Sequence, residues 1–152
     1  MQGTRQLLAR RPRVVAALFF GISTGVLTHF AWYSTARLSG MVPGLTLAAG
    51  LAHAIGGSLT GPRIMDPTRT RTPLHAALLG AATSLLALIL FAPAMAAYVS
   101  AGSASAPTPL GYLVLTVFTA LFAFLGAGWA LLLISAAVGV GLHWLATPSA
   151  AA

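Results

Sequence analysis

The chain contains no cysteine, and only one of its 152 residues, Asp66, is acidic. Without cysteine there are no disulfides, thiolate metal sites, iron–sulfur clusters or redox dithiols. Lysine and asparagine are missing too, and all eight basic residues are arginine. From Thr72 to Ala152 there is no Asp, Glu, Lys or Arg at all. Only 6% of residues are charged, against about a quarter in an ordinary soluble domain, so a water-soluble globule is excluded.

What remains is strongly apolar: 58% hydrophobic residues and a mean hydropathy of +0.91. A bilayer core of ~30 Å needs about 20 helical residues to cross it. Uncharged runs of that length predict an all-α, polytopic transmembrane helical bundle with spans over about 14–33, 41–59, 74–99 and 110–146. Residues 1–13 form a basic N-terminal segment, 14–146 a single transmembrane domain and 147–152 a short tail. The last run is too long for one simple crossing. At 1.5 Å per residue it would extend for ~55 Å, as a tilted or bent helix. The alternative is a hairpin breaking at Gly126-Ala127-Gly128, which would give five spans. A turn there would leave backbone groups unpaired in lipid, at several kcal/mol each, so one long helix is expected.

The net charge of +7 would ordinarily suggest nucleic acid. Its distribution points elsewhere. Arg5, Arg10, Arg11 and Arg13 precede the first span, and Arg63, Arg69 and Arg71 lie between the second and third. Arg37 alone lies between the first and second. This asymmetry predicts a cytoplasmic N-terminus and no nucleic-acid partner. The alanine-rich, lysine-free composition suits a GC-rich bacterial genome, hence a bacterial cytoplasmic (inner) membrane. Trp32, Tyr33, Tyr98 and Tyr112 fall at the expected outer boundaries and Trp144 at the inner one. Residues 10–36 loosely fit a cleaved signal peptide. Their apolar run is span-length and ends in an aromatic pair, so a retained helix is expected.

Small residues recur at helical spacing in every span: Gly21 and Gly25; Gly50, Ala54, Gly57 and Gly61; Ala77, Gly80, Ala81 and Ser84; Gly128, Ser135 and Gly139. Such stripes let helices approach closely in lipid. They predict a compact bundle, and an outward-facing stripe would serve a homo-oligomer or a partner in a larger membrane complex.

The polar inventory inside the spans is short, and it holds no carboxylate, which weakens ion- and proton-coupled transport. His29 follows Gly21 and Gly25, and His53 lies between Gly50 and Gly57, so both are expected to face the bundle interior. They are the candidate cofactor-binding residues, for haem or quinone. Their depths differ by on the order of 10 Å, which argues against paired axial ligation. Neutral histidines bonded to a carbonyl or hydroxyl are the commoner arrangement. His75 and His143 are expected as interfacial anchors. Gly21-Ile22-Ser23-Thr24-Gly25 has the letters of a nucleophile elbow but lies inside an apolar helix. A Ser23–His53 dyad is the residual catalytic reading. Asp66-Pro67 marks a solvated turn among arginines.

The function expected from these features is that of a non-enzymatic accessory or structural membrane subunit. The alternatives are a histidine-bearing haem or quinone protein and a channel or carrier for a neutral or weakly polar solute. No catalytic residue and no metal site is expected.

Overall fold

A computed structural model describes residues 10–35, 42–101 and 107–147. Arg5, Arg37, the side chains of Trp32 and Tyr33, and the tail after Thr147 lie outside the described residues. The chain forms helix α1 (Pro12–Thr35), α2 (Val42–Ile64) and α3 (Pro73–Ala101). These are followed by α4 (Pro109–Ala123), a π-helical turn (Phe124–Gly128) and α5 (Trp129–Ala146).

Three of these helices start on proline, whose fixed φ suits the first helical position and whose missing N–H is not needed there. Threonines supply the caps. Thr108 Oγ1 accepts the Gly111 N–H at 3.1 Å, and Thr72 Oγ1 accepts the His75 N–H at 3.2 Å.

The long apolar tract is one helix. Its backbone stays right-handed helical through the glycines, with φ/ψ of −61°/−37° at Gly128 and −62°/−39° at Trp129. The Gly126–Gly128 segment therefore widens into a π turn instead of reversing, which keeps its backbone groups bonded within the helix. Among the described residues, Pro12–Phe30, Pro73–Ala101, Pro109–Gly126 and Trp129–Ala146 are each long and apolar enough to cross a membrane. The last two are consecutive parts of the same helix. Helix α2, with its glycines, hydroxyls and His53, is the least apolar, and it lies between α1 and α3. This architecture is compatible with a small membrane protein.

The α1–α2, α2–α3 and α3–α5 pairs run antiparallel, and glycines set their separations. A Cβ added at Gly21 would lie 3.0 Å from Ala54 Cβ and 3.1 Å from the Gly50 carbonyl oxygen. At Gly57 it would meet the Phe20 ring at 2.7 Å, and at Gly61 it would overlap Ala16. Across α2 and α3, a Cβ at Gly56 would stand 3.0 Å from the Thr83 carbonyl oxygen, and the Thr60 and Thr83 hydroxyls are 2.7 Å apart. Across α3 and α5, Gly80 abuts the Ser135 carbonyl and Gly139 the Ala76 carbonyl. All described glycines have negative φ, so close approach, not backbone freedom, explains them. Two expected seam residues behave otherwise. Gly25 has open space where its own Cβ would be, although its Cα lies 3.6 Å from a Cβ built at Gly50, and the nearest neighbours of Gly128 belong to its own helix.

Ala16, Phe20, Ile64, Met65, Ala76 and Leu142 form a buried apolar cluster at one end of the bundle. This end carries the described arginines, because α1 begins there and the α2–α3 turn closes there. In that turn Asp66 accepts the Thr68 N–H at 2.9 Å and the Thr68 hydroxyl at 2.6 Å, with Arg69 Nε at 3.4 Å. The Thr68 hydrogen bonds, then the Arg69 charge, hold the Asp66 carboxyl below its ordinary range. A depressed carboxyl contributes turn stability above its unfolded pKa and loses it as pH falls through the folded one. Asp66 is the only side-chain carboxylate, so a ¹³Cγ-aspartate label gives a single resonance. Its midpoint should lie below ~3.9 and move up in Thr68→Ala.

Candidate functional site

The inward face of α1 carries Ala16, Phe20, Thr24 and Thr28, all buried. On α2 the inward residues include Ala49, Ala52, His53 and Thr60, and on α3 Thr83, Ser84 and Ala87. Three helices thus bring His53, Ser84 and Ser135 together where α2, α3 and α5 converge.

His53 Nδ1 lies 3.0 Å from the Ala49 carbonyl oxygen, and Nε2 lies 3.1 Å from Ser84 Oγ. A carbonyl can only accept, so Nδ1 carries the proton, and in the neutral ring Nε2 accepts from Ser84. Ser84 Oγ also lies 2.7 Å from Ser135 Oγ and 3.0 Å from the Leu131 carbonyl oxygen. A single hydroxyl proton cannot serve three acceptors. Ser84 therefore alternates as donor among Nε2, Ser135 Oγ and the Leu131 carbonyl. The result is a buried polar bridge through otherwise apolar helices.

A cavity of about 60 Å³ adjoins this bridge. Its walls include Thr28, His53, Ser84, Phe91, Phe124 and Leu132. Thr28 is 7% exposed, and its Oγ1 is buried with no hydrogen-bond partner among the described residues. Phe124 and Gly128, the ends of the π turn, both line the space.

The other sequence candidates fall elsewhere. His29 is exposed, its ring edge-on to Phe30 at a centroid separation of 6.2 Å, and not beside His53. The expectation that it faces inward is corrected. A four-residue repeat rotates ~40° per step around a helix. The Gly21–Gly25–His29 row has therefore turned off the α2 seam by His29, while Thr28 remains inside. His75 is exposed at the start of α3, but His143 is buried, with Nδ1 unpartnered among the described residues. The anchor expectation fails there because His143 continues the Ser135–Gly139–Leu142 face turned toward α3. Ser23 lies in uninterrupted helix and lines a groove between α1 and α5, away from the His53 partners. The serine that reaches His53 is Ser84.

The bridge resembles a nucleophile–base pair in its contacts, but Ser84 is sunk among three helices instead of presented at a cleft. Both His53 nitrogens are engaged, so iron ligation would break one of the hydrogen bonds. The cavity is also less than half the ~150 Å³ that admits a single benzene ring, too small for haem or a quinone ring. No cluster of three or more His, Cys, Asp or Glu side chains able to hold a metal occurs among the described residues.

Thr28 was missed by sequence reasoning, although it continues the Ala16–Phe20–Thr24 repeat. Ser84 and Ser135 were read as packing residues only. Comparison with family models, with curated proteins and with solved structures finds no match to this chain.

Proposed function

We propose that the chain is a small, non-enzymatic, multi-pass protein of the bacterial inner membrane, with its N-terminus cytoplasmic. Its role on this reading is that of an accessory subunit receiving a transmembrane helix of a larger membrane complex. One observation carries the reading: the α1–α2, α2–α3 and α3–α5 seams are closed by small residues, whereas α1 and α5, which meet at Leu142, leave an open groove of about 650 Å³ beside that contact. Its walls carry Phe19, Ser23 and Val26 on α1, and Ala137 and Gly141 on α5. Ala137 and Gly141 are four residues apart, and Gly141 has nothing within 4 Å of an added Cβ. That is the small-xxx-small surface on which a further helix can approach closely. The arginines at both ends of the α1–α2 pair and before α3 favour the cytoplasmic assignment.

Gly141→Leu projects into the groove, and its Cβ has nothing within 4 Å to displace. Thermal stability in detergent is expected to stay at the wild-type value, while stoichiometric co-purification of a partner in mild detergent falls about tenfold, the effect of ~1.4 kcal/mol of lost contact. Native mass spectrometry from membranes that finds a lone monomer, or a partner indifferent to Gly141→Leu, overturns the reading. A symmetric dimer of this chain would replace the foreign helix with a second copy.

A further inference from the structure

We infer that the cavity between Thr28, His53 and Ser84 is a binding site for a small neutral solute of about two to four non-hydrogen atoms, a short alcohol or amide in chemistry. This goes beyond the docking role and does not depend on whether a partner fills the groove.

The size follows from the volume. A cavity of ~150 Å³ takes the six carbons of benzene, so about 60 Å³ takes a molecule of roughly half that size or less. The polarity follows from the walls. At one end Thr28, more than nine-tenths buried, is part of the wall, and its Oγ1 has no hydrogen-bond partner among the described residues. The His53–Ser84 pair stands beside it, with Nε2 and Oγ 3.1 Å apart and engaged with each other. The remaining wall is hydrocarbon, including Leu85, Leu88, Phe91 and Leu132. No charged side chain lines the cavity, so an ion would enter without a counter-charge and at a prohibitive desolvation cost. A neutral molecule with one hydroxyl or amide group and a short apolar body matches both halves.

The π turn is the second structural sign. It forms one wall of the space through Phe124 and Gly128. Such single-turn widenings within α-helices recur at functional sites. Here the turn interrupts the regular α-helical surface of the last helix opposite Thr28.

Ethanol is the probe, added to the full chain in bilayers with ¹⁵N-labelled histidine. The His53 Nε2 resonance, assigned by its loss in His53→Gln, should shift with ethanol and saturate. Half-saturation falls in the millimolar range or weaker, because three heavy atoms supply no more. Thr28→Val is isosteric and gives up no hydrogen bond within the protein. It should raise the midpoint about tenfold, the value of one lost hydrogen bond of ordinary strength, with the melting temperature unchanged or higher. A response that stays linear and equal in both proteins reports bilayer partitioning only and overturns the assignment. So does a resonance that answers to H₂O/D₂O exchange but not to ethanol, which would leave two ordered waters as the occupants.

Discussion

Gly80→Leu is expected to destabilise the bundle more than any other single glycine replacement. Its Cβ would overlap the carbonyl of Ser135 and crowd the backbone of Ala136, atoms with no rotamer through which to escape. The α3 and α5 backbones must then separate, which also stretches the Ser84–Ser135 contact one turn along. Overpacking of a rigid site typically costs 1–3 kcal/mol, and a four-carbon side chain against backbone should reach about 3 kcal/mol or more. Gly139→Leu should behave alike, since it meets the Ala76 carbonyl. Gly126→Leu is the control, having open space around it, and should change stability by less than about 0.5 kcal/mol. Unfolding by SDS titration in mixed micelles measures all three. Equal stability for Gly80→Leu and Gly126→Leu would mean that α3 and α5 do not meet in this register.

The second large effect belongs to the polar bridge. His53→Leu removes one of three acceptors around Ser84 and the bond that ties α2 to α3 there, at about 1 kcal/mol, since Ser135 Oγ and the Leu131 carbonyl still accept its proton. Ser84→Ala leaves Nε2 without its donor and cuts Ser135 off from the ring. Membrane helices average only ~0.6 kcal/mol per interhelical hydrogen bond, because the separated helices find other partners. Two bonds in series through one hydroxyl should exceed that average. The expected coupling in the His53→Leu/Ser84→Ala cycle is about 1–2 kcal/mol. Strict additivity would show that the two side chains act independently. The Nδ1–Ala49 bond lies within one helix, so it survives Ser84→Ala and holds the ring in place.

The helices were legible because hydropathy and charge placement act over some twenty residues at a time. Expected spans of 14–33 and 74–99 compare with α1 at Pro12–Thr35 and α3 at Pro73–Ala101. Helix α2 runs beyond its expected end at Leu59, through Pro62 to Ile64. Arg63 read as loop in sequence, while Gly61, past the expected end but already part of the α2 small-residue stripe, packs on Ala16. Rotation about each helix axis was much less legible. In lipid the outer face is as apolar as the inner one, so no polar side marks the outside. Only small and hydroxylated residues carry that information, and they place α2 and α3 correctly. On α1 two rows compete, Gly21–Gly25–His29 and Phe20–Thr24–Thr28. The glycine row makes the α2 contact at Gly21 but drifts off it, which put His29 on the wrong side. The bridge itself was half legible: His53 stood out by chemistry, while Ser84 and Ser135 belong to stretches 51 residues apart that only the α3–α5 pairing aligns.

That neighbours in space are neighbours in sequence bears on how the protein is made. The α1–α2 hairpin can close as soon as both helices have left the ribosome, with no segment held open for a distant partner. Helix α3 then docks on α2, and the last helix on α3, in the order of synthesis. Low contact order of this kind favours fast, sequential assembly. Helices α1 and α5 meet at the Ala16, Phe20 and Leu142 cluster but leave a groove beside it. Helix α5 therefore docks on α3 and meets α1 only in part, with a surface still uncommitted.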